Sequence, residues 1–326
     1  MTRIVVAGAG SIGCFVGGLL ALAGRDVTLL GRARVLDGIR DNGLQLTDFT
    51  GLDACVDAAR LSLSDDPAVL AGADLVLVTV KTDATPEMAA LIAQHAPQGA
   101  TVVSLQNGHA AAQMLRAGLP GRDVRAGMVP FNVVPKGPGA YHRATSGDIV
   151  VGSGMGDVAR VLSVPRLAVS EADDMDAIQW GKLLININNA LNALSGLTLQ
   201  AQLLDRDWRR LMADQMAETL AVLRAAGIAE QSTAPVPSRM IPFILRLPTP
   251  LFRRVAAQMI AIDAEARTSM AYDLDAGRGT EIDALQGEII RLGQQYDVPT
   301  PICAHVAACV ARAEPGLAMS VALLRP

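Results

Sequence analysis

Aromatic residues are scarce: two Trp, three Tyr and five Phe make up 3% of 326 residues. Hydrophobic residues nevertheless reach 51%, so the interior has to be aliphatic, built from Ala, Leu, Val and Ile, and a disordered chain is excluded. Charge of one sign is also missing. Twenty-eight basic residues face 32 acidic ones for a formal net charge of -4, with the arginines scattered rather than massed. That excludes the electrostatic footprint of nucleic-acid binding, and an anionic ligand has to be met by local positive charge. The four cysteines, Cys14, Cys55, Cys303 and Cys309, form no CxxC pair and no Cys/His cluster at zinc spacing. A disulfide framework and a structural metal are thereby excluded, and a reducing, cytoplasmic setting fits best. Long apolar runs are absent as well. The run over 12–23 is too short to span a bilayer, and Met1-Thr2-Arg3 leads directly into Ile4-Val5-Val6 with no room for a cleavable signal. No membrane or export role is expected.

The length favours two domains of roughly 100 to 200 residues each. Short β-branched runs at 4–7, 27–30, 75–80 and 102–105 alternate with longer helical patterns, which predicts a parallel sheet with helices on both faces. Gly and Pro cluster at Pro135-Lys136-Gly137-Pro138-Gly139 and at Gly152-Ser153-Gly154-Met155-Gly156, flanking an expected hairpin around 149–151. Beyond 172 the strand signature gives way to helical periods at 180–199, 208–226 and 281–294. The chain therefore reads as an α/β domain over 1–172 followed by an all-helical domain over 173–326. Between the helices, Pro235, Pro237, Pro242, Pro248 and Pro250 predict short helices and turns over the domain surface.

Gly8-Ala9-Gly10-Ser11-Ile12-Gly13 follows the first apolar strand and opens a helical pattern. In that context a GxGxxG motif is the fingerprint of a Rossmann-type, doubly wound nucleotide domain. Gly8 permits the tight turn, Gly10 lets a pyrophosphate approach the backbone, and Gly13 lets helix and strand pack closely. The anion then meets N–H groups at the positive end of the helix dipole. The second strand ends at Gly31-Arg32-Ala33-Arg34, where an NAD-binding protein would place an acidic residue. A guanidinium there, Arg32 with help from Arg34, suits the 2'-phosphate of NADP(H). Lys81 and Asn107 stand at two further strand ends expected to face the same crevice. Each also has an ordinary reading, as a charge leaving a strand and as part of an Asn-Gly turn.

In the helical half, Lys182, Asn186 and Asn189 fall within about a 60° stripe of an otherwise aliphatic helix at 100° per residue. Buried polar groups need partners. An oxygen-rich ligand supplies them on one reading; on the other the stripe is an interhelical hydrogen-bond seam with Lys182 reaching to solvent.

The combination of GxGxxG at 8–13, Arg32, Lys81, Gln106-Asn107-Gly108, Lys182-x3-Asn186, Ser269 and Thr280-Glu281-Ile282-Asp283 resembles the ketopantoate reductase (2-dehydropantoate 2-reductase) family over nearly the whole chain. The resemblance implies that Lys182 donates a proton to the substrate carbonyl oxygen as hydride arrives from NADPH. It places Glu281 near that lysine and the nicotinamide ribose, and Asn107, Asn186 and Ser269 against substrate or cofactor. Glu281 also suits the first turn of a helix capped by Thr280. Many family members carry an asparagine eight residues after the lysine, where this chain has Ala190, with Asn189 one position earlier. The stretch from Lys182 to Glu281 is also longer than in compact members, through a Pro-rich segment over 234–254 that either reshapes the pocket or builds a subunit contact, a homodimer being compatible with it. The expected activity is reduction of a small 2-oxo acid, ketopantoate first and another branched or bulky acid second. Two rivals remain: a hydroxy-acid dehydrogenase of the same fold, and a non-catalytic NADP(H) sensor.

Overall fold

The computed structural model describes residues 1–234 and 236–326; Pro235, one of the prolines singled out above, lies outside the described residues. The chain forms two compact units, Met1–Met175 and Asp176–Pro326.

The first unit is built on an eight-stranded sheet. Its strands are β1 (Arg3–Ala7), β2 (Asp26–Leu30), β5 (Ser62–Ser64), β6 (Leu75–Val78), β7 (Thr101–Ser104), β8 (Val124–Met128), β11 (Ile149–Gly152) and β12 (Val169–Ala172). They lie in the order β12-β11-β8-β7-β6-β1-β2-β5. Every neighbouring pair is parallel except β8 with β11. In β1 all four residues after Arg3 are buried, as a parallel strand covered on both faces requires. Its side chains alternate between two cores: Ile4 and Val6 join the cluster with α1 (Ser11–Leu22), while Val5 and Ala7 join one with Ile92 and Leu115 on α3 (Thr85–His95) and α4 (Ala110–Gly118). After β1 the chain moves outward through β2 to β5, then returns to the opposite side of β1 at β6. That reversal creates a switch point at the carboxyl ends of β1 and β6, where open sheets take their ligands.

A second sheet, β4-β3-β10-β9, combines β3 (Leu44–Asp48) and β4 (Asp53–Val56) with β9 (Val133–Gly137) and β10 (Ala140–Arg143). It lies over α1, where glycines allow close approach: a Cβ on Gly18 would sit 2.7 Å from Leu44 and 2.9 Å from Leu46. Part of the small aromatic complement is spent here. Phe15 and Phe131 meet edge to face at 6.1 Å, the Arg143 guanidinium lies 5.6 Å from both rings, and Arg143 pairs with the buried carboxylate of Asp48 at 2.6 Å. This sheet corrects the expected hairpin at 149–151. The hairpin is β9–β10, turning at Pro138-Gly139, whereas β11 pairs antiparallel with β8 across a long excursion and, through α5 (Val158–Leu162), parallel with β12. The Gly/Pro cluster marked a turn correctly, but the strands it joins are those before and after it.

Helices make up the second unit: α6 (Met175–Asn186), α7 (Asn188–Ser195), α8 (Leu199–Leu204), α9 (Arg206–Ala225), α10 (Ile241–Arg246), α11 (Thr249–Val255), α12 (Ala257–Ile260), α13 (Ser269–Asp275), α14 (Glu288–Gln295) and α15 (Pro301–Ala311). Asp205 caps α9 by accepting from the N–H groups of Asp207 and Trp208. The Pro-rich stretch does form short helices, yet it is more than surface cover, since Ile241, Leu245 and Phe252 are among the most buried side chains of the core. What holds it is Arg209 of α9, itself fully buried. Its guanidinium donates to the carbonyls of Leu203, Leu245 and Leu247 and to the Thr249 hydroxyl at 2.9–3.2 Å, and stacks 4.2 Å over the Phe252 ring. One cation thereby satisfies backbone acceptors at the end of α8 and around the end of α10, which stops before Pro248. Among the described residues all four cysteines are free, no cluster suited to a metal occurs, and no helix is long and apolar enough to cross a membrane.

Candidate active site

The glycine turn is assembled as its spacing predicted. Gly8 adopts φ +123°, open to glycine alone, and a Cβ there would strike Val80 N at 2.7 Å. A Cβ on Gly13 would lie 2.2 Å from the Gly8 carbonyl oxygen. At Gly10 the nearest obstacle would be 4.0 Å away, so that glycine keeps the approach open rather than relieving a clash. Gly10 is also the N-cap of α1, which has no side-chain cap and no acidic residue in its first turn. Ser11 and Ile12, the first helical residues, are half-buried, and Ala9 is buried. The start of the helix thus carries backbone N–H groups at the positive end of its dipole to which the N-cap supplies no side-chain acceptor.

Arg32 stands beside this turn. The N–H groups of Gly8 and Ala9 both donate to the Leu30 carbonyl, at 2.9 and 3.1 Å. Gly31 packs so closely that a Cβ on it would sit 2.3 Å from the Ala9 methyl. Arg32 follows as the exposed N-cap of α2 (Ala33–Asn42), with Arg34 exposed in its first turn. Thr79, which the sequence reading passed over, and Gln106, which it quoted only within the Gln106-Asn107-Gly108 motif, hold this edge together. Thr79 donates its hydroxyl to the Gly8 carbonyl at 2.6 Å, tying the end of β6 to the turn. Gln106 is buried and donates to the Val80 carbonyl at 3.0 Å and the Thr85 hydroxyl at 2.7 Å, while accepting from Ser104. It fixes the chain immediately before Asn107, which is half-buried; Lys81, at the end of β6, is exposed. The signal for both was local: a Thr and a Gln in otherwise apolar strand ends.

In the helical unit, Lys182, Asn186 and Asn189 are all half-buried. The amides of this helical run divide between two faces. Asn188 and Asn192 form an interhelical seam. Asn192 donates to the Leu197 carbonyl at 3.0 Å and to Gln202 at 3.2 Å, and its oxygen accepts from Thr268 N at 3.0 Å. Asn188 exchanges hydrogen bonds with the same Gln202. The seam foreseen for the 182/186/189 stripe therefore exists one face away. Thr268 also donates its hydroxyl to the Asn189 carbonyl at 3.1 Å. Ser269, half-buried at the start of α13, is thereby held next to the residue carrying the Asn189 side chain. Ala190, where the resemblance expects a second asparagine, is fully buried in the aliphatic core.

Burial pushes the Lys182 ammonium down to about 8, and the nearby Glu281 carboxylate raises it, offsetting part of that fall. A lysine in this state is mostly protonated at neutral pH yet close to releasing its proton. Glu281 precedes a π-helical turn, Asp283–Gly287, that runs into α14. Ile282, between Glu281 and that turn, is already helical. Gln286, in the same turn and fully buried, donates to the Ile187 carbonyl at 2.7 Å at the point where α6 gives way to α7.

Two family models cover most of this chain: ketopantoate reductase PanE/ApbA over residues 4–156 and its C-terminal counterpart over residues 174–314. The chain belongs to the ketopantoate reductase family. A 2-dehydropantoate 2-reductase of Halobacterium salinarum is 28% identical over 96% of this chain and 99% of its own length. Among solved structures, a PanE/ApbA family ketopantoate reductase from Ralstonia eutropha superposes with TM-score 0.79 at 30% identity, covering 95% of this chain and 97% of that one. A D-mandelate dehydrogenase solved with NADH shares the fold, with TM-score 0.74 at 21% identity over 95% of this chain and 98% of that one. The Rossmann-type unit followed by a helical unit is thus the architecture of ketopantoate reductases, which are oxidoreductases that use a nicotinamide dinucleotide.

Proposed function

We propose that this chain reduces a 2-oxo acid to the 2-hydroxy acid with NADPH, and that 2-dehydropantoate is the first candidate substrate. The observation that carries the reading is Lys182: a half-buried ammonium poised near pH 8, with the carboxylate of Glu281, just before the π turn, acting on it. General acids work best when their pKa lies near the operating pH. An ammonium also stabilises the negative charge that develops on a carbonyl oxygen as it becomes an alkoxide.

The bound dinucleotide supplies the hydride. Its pyrophosphate fits the uncapped start of α1, where Gly10 leaves room. An exposed guanidinium at Arg32 suits a 2'-phosphate, which supports NADPH over NADH, and Lys81 and Asn107 would continue the same edge. Lys182 Nζ gives its proton to the substrate oxygen. Glu281 keeps the ammonium charged until that moment, and the family resemblance gives it contact with the nicotinamide ribose as well. Asn186, Asn189, Ser269 and Asn107 provide amide and hydroxyl donors for the substrate's oxygens, with Asn189 serving where the chain has Ala190. In reverse, neutral Lys182 would accept the proton of a hydroxy acid.

The buried Ala190 is also the reason to keep a second candidate, another branched or bulky 2-oxo acid. A panel of 2-oxo acids assayed by NADPH oxidation tests the reading. Ketopantoate is expected to give the highest kcat/KM; a bulkier acid ahead of it would shift the substrate, and turnover with none would favour an NADP(H)-sensing protein.

A further inference from the structure

We infer that Gln286 is a positioning residue, which sets the Glu281 carboxylate against Lys182 by tying the turn after Glu281 to the backbone that carries the lysine. The inference rests on Lys182 being the proton donor and extends that reading to a residue outside the contact shell of substrate and cofactor.

Gln286 joins the 281–287 turn to this helical run by a hydrogen bond from its side chain. A carbonyl can only accept, so the end of the amide that faces Ile187 must be its NH2 group. That leaves Gln286 Oε1 buried without a partner among the described residues. A buried, half-satisfied amide is a costly way to fill space, and an apolar side chain would pack there at no such cost. What the glutamine adds is direction. Ile187 ends the helix that begins at Met175 and includes Lys182, and its own N–H still donates to Leu183 at 2.9 Å. The Gln286 contact therefore fixes the distance between this helix and the turn that follows Glu281.

The π turn completes the geometry. At α-helical spacing residues five apart are splayed by about 140°, so Glu281 and Gln286 would face different ways. A π-helical turn over Asp283–Gly287, wider than an α-helical one, stands between them and narrows that splay. Leu285 N donates to the Glu281 carbonyl at 3.2 Å, which locks the backbone of Glu281 to the same turn. Leu285, Ile289 and Leu292 are buried in the core, so docking of the helix as a whole does not depend on the glutamine. Its specific effect is local: it holds the end of the helix where the carboxylate begins. Glu281 is the charged group shown to act on Lys182.

The test compares the pH dependence of kcat/KM for 2-oxo acid reduction in the full-length wild type, Gln286→Met, Glu281→Gln and the double variant. Gln286→Met is expected to keep NADPH affinity and to move the alkaline limb downward by about one pH unit, tenfold in proton affinity. The double variant should coincide with Glu281→Gln, because the glutamine acts through the glutamate. A Gln286→Met limb at the wild-type pH overturns the inference, whatever happens to Tm. If the Met variant does not fold, Gln286→Asn, which keeps the amide but shortens its reach, serves with the same two outcomes. Lys182→Ala, run alongside, separates the two ideas: retained turnover there would refute the proton-donor role itself.

Discussion

Replacing Glu281 by Gln removes one negative charge beside Lys182 while keeping the side chain's shape. Burial is the larger influence on the lysine, and Glu281 is what keeps it as high as about 8. Opposite charges that shift each other's titration lie within roughly 4–6 Å. At about 5 Å and an effective dielectric of about 20–40, the attraction is about 2–3 kcal/mol, or between one and two pH units. The alkaline limb of the reduction should then fall from about 8 to between about 6 and 7. At pH 7.5 about three quarters of wild-type Lys182 carries its proton. With the limb at about 6.5 that fraction drops to about a tenth, an eightfold loss of kcat/KM that is largely restored at pH 6. The sign follows from the role: reduction needs the ammonium, so activity is lost as pH rises through its pKa. Initial rates of NADPH oxidation from pH 5.5 to 9.5, with substrate well below KM, read the limb directly. A variant whose rate is reduced equally at all pH values, with the limb left at about 8, would refute the electrostatic role.

Three other outcomes follow. Lys182→Met should abolish turnover while stabilising the fold: a fall from 10.5 to about 8 corresponds to about 3 kcal/mol as an upper bound, present below pH 8 and fading as pH rises toward 10.5; denaturant unfolding at pH 7 and pH 10.5 checks it. Arg32→Ala should weaken NADPH roughly 10- to 150-fold, the equivalent of about 1.5–3 kcal/mol for a charge-assisted contact, and leave NADH nearly unchanged in fluorescence titrations. Gly10→Ala should fold yet bind dinucleotide poorly, since space exists for its Cβ, whereas Gly13→Ala should lose stability outright because its Cβ would meet the Gly8 carbonyl at 2.2 Å; thermal melts with and without NADPH distinguish them.

The sequence made the nucleotide unit legible because its strands are buried on both faces and read as unbroken apolar runs, with glycines at the one turn where backbone crowding demands them. The second sheet was illegible for the opposite reason. β3 and β10 are short, half-polar and paired across a long loop, so nothing local announces them. In the helical unit, spacing drew Lys182, Asn186 and Asn189 onto one stripe of a single helix, whereas the chain breaks between α6 and α7 at Ile187. Spacing could not separate them from Asn188 and Asn192, whose partners Gln202 and Thr268 come from other helices. The π turn was equally hidden, and the carbonyl that its Gln286 reaches lies 99 residues away.

The most direct test of the central claim is Lys182→Ala, assayed for NADPH-dependent 2-oxo acid reduction together with NADPH binding by fluorescence. Turnover should fall by at least about a hundredfold, the scale of general-acid catalysis, while NADPH binds with little change. Turnover close to wild type, or loss of NADPH binding in step with loss of activity, would contradict the assignment of the proton to this lysine.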